Sequence, residues 1–136
     1  MNKTTITKIM LKHQPQIQAI YLFGSAAKNQ LRPDSDIDIA VLLPYQIAKN
    51  NENLFMTPLQ HELENEVQRD VDLINLRQVS TVFQYIIVNS GEIIHCADKV
   101  ERHTFEMLVW SFYQKLNEER ADILNICLKT GKAYAV

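Results

Sequence analysis

The sequence contains two cysteines, Cys96 and Cys127, with no CxxC spacing, so nothing in it indicates a disulfide framework. Both thiols are expected to be buried and structural. It has no long apolar run. The longest, such as Ile37 to Leu43, are interrupted by charge and too short to span a bilayer. No apolar signal core follows Met1-Asn2-Lys3-Thr4, which places the expected site of action in the cytoplasm, away from membranes. Lys and Arg are not clustered, and the net charge is -2. That balance excludes a protein built mainly to grip a phosphate backbone, and no direct nucleic-acid binding is expected. Internal repeats, low-complexity tracts and linkers long enough to divide domains are also lacking.

What remains is a chain of 136 residues, 46% apolar and 22% charged, enough for one globular domain with a real core. Thr4 or Thr5 is placed to cap a short helix carrying Ile6, Ile9 and Met10, which Pro15 stops. Ile17 to Phe23 reads as a strand. Gly24-Ser25 breaks it and opens a brief helix to about Gln30, and Arg32-Pro33-Asp34-Ser35 is a turn. Asp36 to Leu43 reads as a second strand, and the polar stretch Tyr45 to Asn53 as a loop. Pro58 suits the first turn of a helix to about Gln68, and Val71 to Leu76 a third strand. Ser80 caps a helix that Gly91 ends, Glu92 to His95 is a fourth strand, and Asp98 to Lys129 is one long helix. On that helix Met107, Leu108, Phe112, Leu116, Ile123, Leu124, Cys127 and Leu128 recur at helical spacing. The expected class is α/β or α+β, a small mixed sheet flanked by helices, in one domain over 1–136 with a core at about 15–96 and a helical region at about 98–130. The link from Leu43 to Val71 has room for a crossover helix, so strands two and three are expected to be parallel neighbours.

The informative stretch is Gly24-Ser25, ten residues, then Asp36-Ile37-Asp38. Gly24 permits a sharp turn and close approach of a ligand. Ser25 starts a helix, whose free N–H groups and dipole favour an anion such as triphosphate. Asp36 and Asp38, two apart on a strand, face the same way, while Ile37 and Ile39 face the core. Two crowded carboxylates repel unless a cation or proton sits between them. Mg²⁺ takes hard oxygen ligands through one or two carboxylates plus substrate phosphates. A pair of such ions can hold the attacking and leaving oxygens of an in-line displacement. Asp72 is the natural third carboxylate, near the start of strand three, where it can bind metal or take the proton of an attacking hydroxyl. Asp70 has the same facing but falls at the strand edge. The plainer alternative is a Gly-Ser turn beside a surface Asp pair.

These residues resemble the nucleotidyltransferase superfamily that includes the DNA polymerase β palm, and within it the minimal nucleotidyltransferase antitoxins paired with HEPN-domain toxins. Gly24, Ser25, Asp36 and Asp38 match that family's GSx10DxD motif, and Asp72 its later catalytic Asp. The resemblance covers about Ile17 to Leu76. Many relatives have Arg-Gly where this chain has Lys28-Asn29; Lys28 keeps the charge for phosphate but loses the guanidinium fork. The resemblance implies a Mg²⁺-dependent protein adenylyltransferase, with two ions, that moves AMP from ATP to a tyrosine of a HEPN ribonuclease and so silences it. Asp36, Asp38 and Asp72 would be catalytic and metal-binding, and Gly24, Ser25 and Lys28 nucleotide-binding. Larger relatives hold their acceptor with an extra domain; a partner that presents its own hydroxyl removes that need. Two other readings compete: an antitoxin that neutralises by contact alone, and a small-molecule transferase acting on an aminoglycoside-like hydroxyl.

The remaining polar residues point to less. His61-Glu62 matches the start of a zinc-protease pattern, but Asn65 stands where the second His belongs. His13, His95 and His103 lack metal-ligand spacing. Arg32 and Arg77 can reach phosphate or lie solvated. Trp110, Phe112 and Tyr113 cannot all face one core, and one side of the long helix, with Trp110, is a candidate partner surface.

Overall fold

The strands of this protein are apolar along nearly their whole length because helices cover both faces of the sheet they form. The computed structural model describes residues 2–24, 36–50 and 57–130, with side chains through residue 122. The expected helix to Gln30, the turn at Arg32 to Ser35, and the side chains of Ile123, Leu124, Cys127 and Leu128 lie outside the described residues.

The first helix, α1 (Lys3–His13), is capped by Asn2, whose side chain accepts from the Thr5 backbone N–H. The cap is therefore two or three residues earlier than the threonines suggested, because Asn2 adopts the extended backbone that a cap requires. The strands are β1 (Ala19–Phe23), β2 (Ile37–Leu42), β3 (Val71–Asn75) and β4 (Glu92–Cys96), in the order β3-β2-β1-β4. β1 runs antiparallel to both β2 and β4, and β2 is parallel to β3, as the length of the crossover led one to expect.

That crossover holds two helices, α2 (Tyr45–Asn50) and α3 (Pro58–Val67). α2 replaces the loop expected from its polar sequence. Its first turn closes with the Ala48 N–H donating to Pro44 O, and Ala48 is buried. The Ala48 carbonyl then accepts from the side chains of Asn75 (3.0 Å) and Gln78 (3.2 Å). Tertiary contacts of this kind override a weak local propensity. α3 begins with Pro58 in its first turn, as expected, and Thr57 caps it. Ile6 and Met10 of α1 and Leu59 and Leu63 of α3 pack with Ile20, Leu22, Ile37, Ile39 and Leu73 on one face of the sheet.

The other face is covered by α4 (Thr81–Ser90) and α5 (Lys99–Thr130). Here Ala19, Tyr21, Ala40 and Leu42 meet Ile87, Phe105 and Val109. α4 is capped by Ser80 and ended at Gly91, as expected. The two helices are joined by Tyr85 and Tyr113, whose rings stack at 3.7 Å and 6°. On α5 the inward residues are thus Phe105, Val109 and Tyr113. Met107, Leu108 and Phe112, which had marked the helical pattern, are exposed, as is Trp110. Cys96 is only half-buried, not sealed in the core as expected, because it closes the edge strand beside Arg102. No helix among the described residues is long and apolar enough to cross a membrane.

Candidate active site

The covered face of α4 and α5 has two breaks in its apolar pattern, Asp38 and Asp72. Side chains alternate along a strand, so Asp38 shares a face with Ala40 and Leu42, and Asp72 with Ile74. Those neighbours all belong to the α4–α5 core. Asp38 and Asp72 are also register partners on the parallel pair β2 and β3. They therefore stand side by side on adjacent strands, about 4.8 Å apart at the backbone. Both are half-buried, and Asp36 lies exposed just before β2.

The electrostatics follow from that placement. Burial raises the Asp38 carboxyl above its ordinary range, and the negative charges of Asp72 and Asp36 push it further the same way. Both neighbouring acids thus act on Asp38. Among the described residues, no three His, Cys, Asp or Glu side chains form a ready-made metal cage. A carboxylate row that leaves the rest of a cation's shell to phosphate and water is how Mg²⁺ is usually held.

β1 contributes the turn beside the row. Gly24 has φ +67°, in the left-handed region, and a Cβ built on it would lie 2.5 Å from Asp38 Oδ2. The Asp38 carboxylate thus approaches the Gly24 backbone closely. Phe23, one residue earlier, is the register partner of Asp38. Phe83 meets its ring edge to face at 5.8 Å and 84°. These two aromatics were missed in the sequence; the signal available was that Phe23 immediately precedes the glycine of the motif.

The other expected residues are placed as follows. Ser25, Lys28 and Arg32 lie outside the described residues. Asp70 is exposed and helps align the strands through its carbonyl, which accepts from the Ile37 N–H at 2.9 Å. Arg77 is at the opposite end of the sheet. It donates to Leu43 O (2.5 Å) and Gln18 Oε1 (3.0 Å), and its guanidinium sits 5.4 Å from the Phe105 ring centre. It is a clamp between segments, not a phosphate ligand. A surface cavity lined by Thr57, Pro58, Gln60, His61 and Glu64 belongs to α3, on the other face from the carboxylates.

A glycine turn and acidic row of this arrangement can be compared with known proteins. Residues 5–100 match the family described as polymerase beta, nucleotidyltransferase. The chain belongs to that family. It is 34% identical over 135 residues to the protein adenylyltransferase MntA of Shewanella oneidensis, covering 99% of this chain and 94% of the relative. Two similar crystal structures extend the match to the fold. One, a toxin–antitoxin with AMP-PNP, has a TM-score of 0.73 at 30% identity over 94% of this chain and 99% of that one. The other, a tri-AMPylated HEPN toxin of Shewanella oneidensis in complex with its MNT antitoxin, has a TM-score of 0.65 at 29% identity over 93% and 95%. Family membership makes the chain a nucleotidyltransferase, and the Asp38–Asp72 row falls within the matched span.

Proposed function

We propose that this chain is an antitoxin that works as a protein adenylyltransferase in the cytoplasm, moving AMP from ATP onto a tyrosine hydroxyl of a partner HEPN ribonuclease toxin and so inactivating it. The observation that carries the reading is the carboxylate row at Asp38 and Asp72 in a chain alike, over nearly its full length, to a protein adenylyltransferase. The relative solved with a tri-AMPylated HEPN toxin supports the class of acceptor. The AMP-PNP complex supports ATP as donor. A single domain over 1–136 does this work, with the carboxylates in its core at about 15–96.

The residues present suit Mg²⁺. The Asp36 and Asp72 carboxylates are close enough to raise Asp38, and a divalent cation relieves such crowding of hard-oxygen donors. Asp36, Asp38 and Asp72 would hold the metal, with two ions in the family's manner. When bound, the metal neutralises charge on the triphosphate and the leaving pyrophosphate. Gly24, with Ser25 and Lys28 beyond it, receives the phosphates. The acceptor oxygen bonds to the α-phosphorus, the anhydride bond to the β-phosphate breaks, and pyrophosphate leaves with the bonding pair. The hydroxyl proton passes to Asp72 and on to solvent.

The test is co-expression with the partner toxin followed by mass spectrometry of that partner. The wild-type chain adds AMP, while Asp36→Ala and Asp38→Ala, each folded by circular dichroism, leave the partner unmodified and its ribonuclease active. Full AMP transfer by both variants overturns the reading. A silent but unmodified partner beside the wild-type chain also overturns it, in favour of neutralisation by contact alone.

A further inference from the structure

At the carboxylate end of the sheet, the row from β3 through β2 to β1 reads Asp72, Asp38, Phe23. Directly paired residues on neighbouring strands present their side chains to one face. The Phe23 ring therefore flanks Asp38 on the side away from Asp72. Phe83, in the first turn of α4, stands edge to face against it. α4 then runs toward the carboxylate end, since Gly91 at its close lies against the Leu22 carbonyl. One turn along it from Phe83 is Ile86. Phe83 is 37% exposed and Ile86 53% exposed. A single exposed apolar side chain needs no explanation. Here two adjoin on one helix and extend an aromatic ring that borders the acidic pair.

We infer that Phe23, Phe83 and Ile86 form the seat for the purine base of the nucleotide. This rests on the proposed adenylyl transfer and assigns a place to the part of the substrate that the carboxylates do not hold. The reacting phosphorus belongs at the acids, and the acceptor hydroxyl approaches on the flank of Asp72, which takes its proton. The base hangs from the same phosphate through a single ribose, and among the described residues the flank of Asp38 opposite Asp72 is that of Phe23. The base is the planar, least polar part of ATP, and the shelf offers it an aromatic edge and an aliphatic side chain. Phe23 is held by Phe83, so Phe83 and Ile86 supply the free surface. None of the three side chains carries a hydrogen-bonding group. The seat therefore reads a base as a flat surface and holds ATP and GTP alike.

The test uses the full chain with Mg²⁺, and ATP, GTP and inorganic triphosphate as calorimetric probes. Wild type binds ATP more tightly than inorganic triphosphate. Phe83→Ala weakens ATP and GTP roughly 5- to 150-fold, the range for loss of one base stack, and leaves triphosphate binding unchanged. Phe83→Trp restores ATP binding. Ile86→Ala, at a more exposed position that the fold does not depend on, gives a smaller loss in the same direction. Wild-type affinity for ATP in both alanine variants overturns the seat while leaving adenylyl transfer standing. An effect confined to the KM for the acceptor protein also overturns it and gives the shelf to the acceptor. A wild-type chain that binds no nucleotide overturns both readings together.

Discussion

The carboxylate of Asp38 fills the space in which a side chain on residue 24 would begin, 2.5 Å from Oδ2 to the position of a Cβ. The backbone there also has φ +67°, which L side chains rarely adopt. Two independent constraints thus fall on one glycine, and relieving either moves the acid that the site is built around.

Gly24→Ala is therefore expected to fold but to transfer poorly. Displacing a reacting group by about 1 Å costs on the order of 100-fold in rate. AMP transfer by the purified variant, normalised to folded protein by circular dichroism, checks this. A variant within twofold of wild type would show that Asp38 need not be held where it is.

Asp38→Asn should make the metal-free protein more stable at pH 7. Burial, Asp72 and Asp36 all raise the Asp38 carboxyl in the folded state. A group raised on folding favours the folded state at low pH, where it is protonated, and that contribution is lost as pH rises through the folded value. At neutral pH the ionised Asp38 thus opposes folding. The expected outcome is a higher melting temperature at pH 7 in chelator, with the gap closing as pH falls below the ordinary aspartate range.

The same raised carboxyl sets the acid limb of activity. On the proposed mechanism Asp38 is ionised when it holds metal, so kcat/KM should fall, as pH drops, at a value above the ordinary aspartate range. Mg²⁺ competes with the proton, so a tenfold increase in Mg²⁺ should shift the limb to lower pH. Profiles at two metal concentrations that superimpose would contradict this coupling.

Arg77→Ala should lower stability without touching chemistry. Arg77 ties Leu43 and Gln18 together and lies over Phe105, with Glu101 at 3.8 Å. Losing hydrogen bonds from a charged donor together with the ring contact costs about 2–4 kcal/mol. Arg77→Lys should recover only part of it, because a single ammonium cannot replace the fork. Urea midpoints measure the loss, and AMP transfer per folded molecule should stay at the wild-type level.

The acidic row was legible because its signal is local. The spacing Asp36-Ile37-Asp38 fixes a common face, and the length from Leu43 to Val71 fixes a parallel neighbour. The cap at Ser80, the Pro58 start and the stop at Gly91 were legible for the same reason: each is a property of a few adjacent residues. What could not be read depends on distant partners. α2 is held through Ala48 by Asn75 and Gln78, about 30 residues away, and nothing in Tyr45 to Asn50 announces them. On α5, several apolar stripes run at helical spacing, and only the sheet decides that Phe105 and Val109 turn inward while Leu108 and Phe112 do not. The role of Arg77 was hidden similarly, since its acceptors come from Leu43 and Gln18.

The parallel pairing of β2 with β3 ties chemistry to the completion of folding. Asp38 and Asp72 are 34 positions apart, and they become neighbours only after the intervening helices have carried the chain back across the sheet. A nascent polypeptide still short of Val71 has its glycine turn and first two acids but no third, and the non-local closure that supplies it is the slow kind. The Asp38–Asp72 row therefore exists only in a chain that has folded past Val71.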